Sequence, residues 1–131
     1  MNILSMEAII TEEIFKALSE NSRLRILSLL TSGELCVCEI EECLDLTQSN
    51  ISRHLTVLKN CGMLDSYKNA QWVYYKVSEK FMQDNSELWD YLSRKFTELP
   101  SYQTDCQKRK KYKNQDLCKC KNNEIRSDLD E

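Results

Sequence analysis

Three observations predict a mainly α domain with one small β-hairpin. Two Gly and one Pro in 131 residues are too few for the many tight turns of a sheet-rich fold. Apolar residues recur at helical spacing through most of the chain up to Leu58. Between Met63 and Val77 the period drops to two, and β-branched and aromatic residues take over. Two short helices joined by a tight turn and followed by a hairpin make a winged helix-turn-helix. The length supplies one core and so one domain.

The elements follow in order. Met6 to Glu20 reads as a helix carrying Ile9, Ile10, Phe15 and Leu18, either in the core or facing a partner. Asn21-Ser22 is the expected N-cap of a second helix whose Leu24, Ile26, Leu27, Leu29 and Leu30 are apolar nearly all round, which makes it central. Arg23 and Arg25 fall on its exposed start, and Thr31-Ser32-Gly33 ends it, with Gly33 suited to a left-handed position. A short third helix begins within Glu34-Leu35-Cys36-Val37-Cys38-Glu39-Ile40 and runs to about Leu44. Thr47 is the expected N-cap of the fourth, whose buried stripe is Ile51, Leu55 and Leu58; Gly62 closes it. Met63 to Tyr67 and Gln71 to Val77 are the hairpin strands, joined by Lys68-Asn69-Ala70, with Val73, Tyr75 and Val77 as one buried face.

Glu79 to Phe96 reads as one long helix with an apolar stripe of Phe81, Leu88, Trp89, Leu92 and Phe96. Such a stripe beyond a compact domain predicts pairing with a second copy, hence a homodimer. Past Pro100 the chain is polar and includes Lys108-Arg109-Lys110-Lys111. The expected organisation is a DNA-binding and dimerisation domain over 1–97 and a polar, cysteine-containing flexible tail over 98–131.

Net charge is −3, but its distribution decides more than its sum. From Leu46 to Val77, Arg53, Lys59, Lys68 and Lys76 stand against Asp65 alone; the preceding stretch holds Glu34, Glu39, Glu41, Glu42 and Asp45. One positive segment is thus left to face phosphates. No apolar run reaches the ~18 residues of a membrane span, and Met1 to Met6 carries no basic leader pattern. Seven cysteines, an odd number, then point to metal or redox chemistry in a reducing compartment, with the cytoplasm as the expected location. No nucleophile with a base and anion-binding loop is present, nor any C-x-x-C, so an enzyme is not expected. The pair Cys36 and Cys38, a soft-ligand set just upstream of the polar fourth helix, reads instead as a sensor joined to a DNA-reading output. Packed, buried thiols are the bland alternative.

Lys16-Ala17-Leu18-Ser19, Arg23-Leu24-Arg25-Ile26-Leu27, Gly33 to Ile40, Gln48-Ser49-Asn50-Ile51-Ser52-Arg53-His54-Leu55 and Trp72-Val73-Tyr74-Tyr75 resemble the ArsR/SmtB metal-responsive repressors over about Glu12 to Val77. The resemblance implies a dimeric winged helix-turn-helix that holds double-stranded operator DNA without metal and leaves it when metal binds, releasing detoxification or efflux genes. In such a fold the second helix of the motif enters the major groove. That assigns Gln48, Ser49, Asn50, Ser52 and Arg53 to base edges, where Gln and Asn pair with adenine and Arg with guanine. Lys59, Lys68 and Gln71 are read as phosphate or wing contacts, and His54 as a contact to DNA backbone or a neighbouring helix.

Thiolates suit As(III), Sb(III), Cd(II), Pb(II) and Zn(II). The arsenite-sensing branch typically has a third cysteine three residues after the second, where this chain has Glu41. On an intact helix Cys43 rises about 10 Å beyond Cys36, too far for a short side chain to share an ion. Family relatives borrow cysteines from a terminal segment, which here means Cys106, Cys118 and Cys120. The expected ligand set is Cys36 and Cys38 joined by one or two of these. Three thiolates would take As(III) or Sb(III) as inducer, and four would favour Cd(II), Pb(II) or Zn(II). A thiol redox sensor is the remaining alternative.

Overall fold

The computed structural model describes residues 3–115. Along them run α1 (Ile3–Leu18), α2 (Asn21–Leu30), β1 (Leu35–Cys36), α3 (Val37–Leu44), α4 (Gln48–Asn60), β2 (Leu64–Asn69), β3 (Trp72–Val77), α5 (Glu79–Asp84), α6 (Ser86–Phe96) and α7 (Tyr102–Gln115). The C-terminal half of α2 forms the centre, with Ile26, Leu27, Leu29 and Leu30 all buried. Ile14 and Ala17 of α1, Ile40 and Leu44 of α3, and Ile51, Leu55 and Leu58 of α4 close around it. The last three stand at i, i+4 and i+7 on one helical face, and burying each stabilises the fold by roughly 1.5–3 kcal/mol.

Local chemistry sets the turn of the motif. Asp45 ends α3 in the left-handed region (φ 54), a conformation that Asp tolerates better than most residues. Thr47 is extended, and its hydroxyl accepts the Asn50 N–H at 3.3 Å, which starts α4. Gly62, at φ 85, releases the chain from α4 toward the wing.

The sheet is antiparallel with order β1-β3-β2. Pairing of β2 with β3 runs from Leu64 opposite Val77 to Asn69 opposite Trp72. Lys68 and Asn69 therefore belong to the strand, and the loop is only Ala70-Gln71, with Ala70 at φ 56; a two-residue loop with a left-handed first residue matches the strand twist. A third strand joins the expected two: Leu35 pairs with Tyr75 and Cys36 with Tyr74. Tyr75 and Val77 pack toward the main core as expected, whereas Tyr74, buried as well, belongs to the opposite face with Cys36.

Several expectations are corrected. Phe15 is 58% exposed, and α1 buries Ile14 and Ala17 instead. Glu20, not Asn21-Ser22, is the N-cap of α2. The helix read over Glu79 to Phe96 breaks at Asn85 (φ −128, ψ 43). Both the backbone N–H and the side-chain Nδ2 of Asn85 donate to Phe81 O, at 2.9 and 3.2 Å, and terminate α5. The aromatic stripe survives the break, since Trp89 meets Phe81 and Phe96 edge-on at 6.1 and 5.9 Å.

Arg23 and Arg25 are not on an exposed start. Arg23 Nε donates to Ala17 O at 2.7 Å. Arg25 reaches across 80 positions to grip both oxygens of Asp105 on α7, at 2.9 and 3.0 Å. This is also where the flexible-tail reading of 98–131 fails in its first half. Helix α7 has no apolar stripe, yet it packs on α3 and α2. Asp105 is 3% exposed and accepts a further bond from Ser101 Oγ at 3.0 Å, while Tyr112 donates to Glu42 at 2.9 Å. Docking is by charge and hydrogen bonds, which a search for apolar periodicity does not see. Residues 116–131, with Cys118 and Cys120, lie outside the described residues.

Breaking a buried ion pair on one side leaves an uncompensated charge. Asp105→Ala is expected to lower the unfolding free energy by about 3–5 kcal/mol and to open Lys108-Arg109-Lys110-Lys111 to trypsin. Chemical denaturation and limited proteolysis check this, and unchanged resistance at that run would mean that α7 is held by something else.

Candidate nucleic-acid interface and thiol pair

Opposite its buried stripe, α4 presents Gln48, Ser49, Asn50, Ser52 and Arg53, all exposed. They occupy the N-terminal half of the helix, where free N–H groups and the positive end of the helix dipole favour phosphate. Lys59 near the C-terminal end of α4, Lys68 on β2 and Gln71 in the wing turn are exposed too. Amide and guanidinium groups able to read adenine and guanine edges thus share a helix with one lysine, and the wing adds another.

His54 is the exception. It is 2% exposed, with Nδ1 3.2 Å from an Arg23 nitrogen and Nε2 3.3 Å from Glu20 Oε1. Arg23 has only donors, so Nδ1 accepts and Nε2–H donates to Glu20, which defines a neutral ring. The side chain clasps α4 to the α1–α2 junction and is turned away from solvent; of the two roles expected from sequence, the neighbouring helix is the one it takes. Burial lowers its pKa first, with Arg53 and Arg23 acting in the same direction and Glu20 opposing. A depressed folded-state pKa means that the unfolded chain binds the proton more readily, so this contribution to stability is complete above the ordinary imidazole range and is lost as pH falls through the lowered value. Thermal unfolding between pH 7.5 and 5 is expected to show Tm falling toward acid, less steeply in His54→Gln; equal slopes would remove His54 as the cause.

The thiol pair sits where β1 becomes α3. Cys36 is the last residue of the strand and, at φ −79 and ψ 164, the N-cap of the helix. A reciprocal capping box forms there: Glu39 N–H donates to Cys36 Sγ, and Cys36 N–H donates to Glu39 Oε1 at 3.1 Å. Cys38 Sγ lies 2.8 Å from Cys36 Sγ. Cys36 is buried and Cys38 only half-buried, so a ligand reaches the pair from the side of Cys38. Two adjacent sulfurs at a helix N-terminus suit a thiophilic cation, because the helix end favours the anionic sulfur.

The other cysteines differ. Cys43 is wholly buried and its thiol is pushed up to about 11 by burial; it stays protonated and packs in the core. Cys61 donates to Leu58 O at 3.3 Å, and burial raises its pKa as well. Cys106, on α7, is hydrogen-bonded to Tyr102 and borders a cavity of about 520 Å³ with Ser32, Gln103, Arg109 and Lys110. Among the described residues no three His, Cys, Asp or Glu side chains are grouped to hold a metal ion, so Cys106 does not complete the pair within this set. Sequence reasoning missed the cap itself. The signal was present as Cys36-Val37-Cys38-Glu39, a capping-box spacing with sulfur in place of hydroxyl.

Residues 13–66, from late α1 into β2, match the arsR family of bacterial regulatory proteins. HlyU from Vibrio cholerae, a solved structure, is 35% identical with a TM-score of 0.55, over 70% of this chain and 97% of that one. The chain belongs to the arsR family. Its matched region is that of bacterial regulatory proteins, the class its sequence led one to expect. The arsenic resistance transcriptional regulator ArsR1 of Pseudomonas putida is 45% identical over 55% of this chain and 58% of its own length. A cadmium resistance transcriptional regulatory protein, CadC of Listeria innocua, is 44% identical over 47% of this chain and 52% of its own. The match therefore spans little more than half of either relative. A homodimeric winged helix-turn-helix domain from Mycobacterium bovis, 22% identical with a TM-score of 0.62, shares the fold over 75% of this chain and 91% of that one. Among the described residues no helix of this arsR-family chain is long and apolar enough to cross a membrane.

Proposed function

We propose that this arsR-family regulator is a homodimeric repressor that holds double-stranded operator DNA when free and leaves it when Cys36 and Cys38 coordinate As(III) or Sb(III), so that resistance or efflux genes are expressed. One observation carries the reading: Cys36 caps α3 with the Cys38 sulfur beside it, and α3 packs on the helix that presents Gln48, Asn50 and Arg53. Any ion held by these sulfurs acts on the cap of an element in direct contact with the recognition helix. A ligand shifts an equilibrium only by its differential affinity for the two states. The ion must therefore bind the DNA-free protein more tightly, and DNA affinity must fall by the same factor. The names of the Pseudomonas putida and Listeria innocua relatives support thiophilic effectors and leave both As(III) and Cd(II) in view.

Two thiolates do not fill the coordination of either ion. The remaining ligands are assigned to Cys118 and Cys120, with Cys106 as the third source, from the same or the partner chain. Cd(II), Pb(II) or Zn(II) is the alternative effector if two of them join. The closeness of the two sulfurs also favours a second reading, in which peroxide takes two electrons and two protons from the thiols, leaving a disulfide and two water molecules.

The test uses a duplex selected from a random library by the wild-type protein. Titration with As(III), Sb(III), Cd(II), Pb(II) and Zn(II) is expected to lower DNA affinity roughly 5- to 150-fold for the cognate ion. Cys36→Ser and Cys38→Ser should keep the duplex bound at ion concentrations that release the wild type. Release by peroxide alone, with none by any ion, would replace the metalloid reading with the redox one. Unchanged release in Cys106→Ser, Cys118→Ser and Cys120→Ser combined would remove the tail as a ligand source.

The DNA contacts have their own signature. Arg53→Ala or Asn50→Ala should cost about 1–3 kcal/mol of binding and relax preference at one base position. Lys68→Ala should weaken all sequences alike and reduce the salt slope by about 1. Fluorescence anisotropy at several salt concentrations separates the two behaviours.

A further inference from the structure

The sheet carries an apolar cluster apart from the main core. Cys36 and Tyr74 are its buried members, 1% and 9% exposed, with Cys38 and Trp72 packed against them. Register explains the grouping. Cys36 stands opposite Tyr74, and Tyr74 opposite Tyr67, across the three antiparallel strands. Residues directly opposite one another project to the same face. The Tyr67 and Tyr74 rings stack at 5.3 Å with planes 11° apart. Tyr67 is 43% exposed and immediately precedes Lys68 on the wing. An unbroken row thus runs from a buried thiol to the outer strand of the hairpin.

We propose that Tyr74 and Tyr67 are positioning residues that couple the Cys36–Cys38 pair to the wing, with Trp72 alongside as its reporter. The inference rests on the reading of the thiols as effector ligands. The sulfurs lie side by side, so one ion can bond both, and an ion on Cys36 Sγ competes with the Glu39 N–H for that sulfur. Occupancy therefore shifts the Cys36 side chain. Cys36 is held in β1, and its neighbour across the sheet on that face is Tyr74. Close-packed clusters respond by repacking in discrete steps and not by smooth deformation. The other face of β3 is anchored in the core through Tyr75 and Val77, while β2 buries only Leu64 among its six residues. The displacement accordingly falls on β2, which carries Tyr67 and Lys68.

The experiment uses the full chain and the library-selected duplex. As(III) and Cd(II) binding is read from thiolate–ion absorbance, and DNA affinity is measured with and without ion in wild type, Tyr67→Ser, Tyr74→Leu and Tyr74→Phe. A Trp89→Phe background isolates Trp72 fluorescence. Ion should bind all four proteins alike and change Trp72 emission in the wild type. The ratio of DNA affinities without and with ion should shrink about tenfold in Tyr67→Ser and Tyr74→Leu, and Tyr74→Phe, which keeps the ring, should restore it. A wild-type ratio in both deficient variants overturns the coupling. If Tyr74→Leu does not fold, the exposed Tyr67→Ser decides alone. Failure of both ions to give thiolate absorbance in the wild type overturns the effector reading and the coupling with it, so the two failures are told apart.

Discussion

The exchange of hydrogen bonds between Cys36 and Glu39 is the constraint on which the junction of β1 and α3 depends. Helix α3 is eight residues long, too short to persist by propensity alone. It stands because its side chains enter the core and because its first turn is capped, with Cys36 Sγ accepting from Glu39 N–H and Glu39 Oε1 accepting from Cys36 N–H. A lost cap costs about 0.5–2 kcal/mol. Coupling between an effector site and a distant ligand is of the same order, about 1–3 kcal/mol. A ligand that claims the Cys36 sulfur therefore needs no large rearrangement to matter. Competition for one acceptor atom is commensurate with the regulatory effect.

The two helices of the motif are built to different stiffness. Recognition helix α4 has its own cap at Thr47, a stripe of three buried aliphatic side chains and the His54 clasp to Glu20 and Arg23. Each is independent of the thiols. In α3, the Cys36 sulfur is both the cap and one of the two proposed ligand atoms. The internal order of α4 therefore does not depend on the cap of α3, although the two helices pack on one another.

What the sequence disclosed follows from which forces leave a periodic trace. Ile51, Leu55 and Leu58 announce α4 through their spacing, and the alternation ending at Val77 announces the wing, because burial of one face imposes a period. Strand β1 has two residues and no period, so it was invisible until Leu35 and Cys36 were found beside Tyr75 and Tyr74. Helix α7 is polar because its attachment is an ion pair between positions 25 and 105, and no local window contains both. His54 lies four positions before the buried Leu58 and three after the buried Ile51, which places it at the edge of the core stripe; sequence alone left both DNA backbone and a neighbouring helix open as its partner. The thiol pair itself was plain in the sequence, but its role as helix cap depended on a sulfur doing what a hydroxyl ordinarily does.

Charge segregation along the chain takes on its meaning once α7 is docked. The acidic stretch around α3 is met by α7: Glu42 accepts from Tyr112, and Glu39 acts on the Arg109 guanidinium, which burial would otherwise push more strongly toward its neutral form. Glu42 and Glu39 thus have partners within the molecule. The exposed charges of α4 and the wing, Arg53, Lys59, Lys68 and Lys76, have no such partner among the salt bridges of the described residues. At physiological salt a charge is felt over about 8 Å, so local surplus and not the net value of −3 sets the field that a phosphate meets. Docking α7 on α3 therefore holds the helix that carries the thiol pair and engages its Glu42 within the molecule.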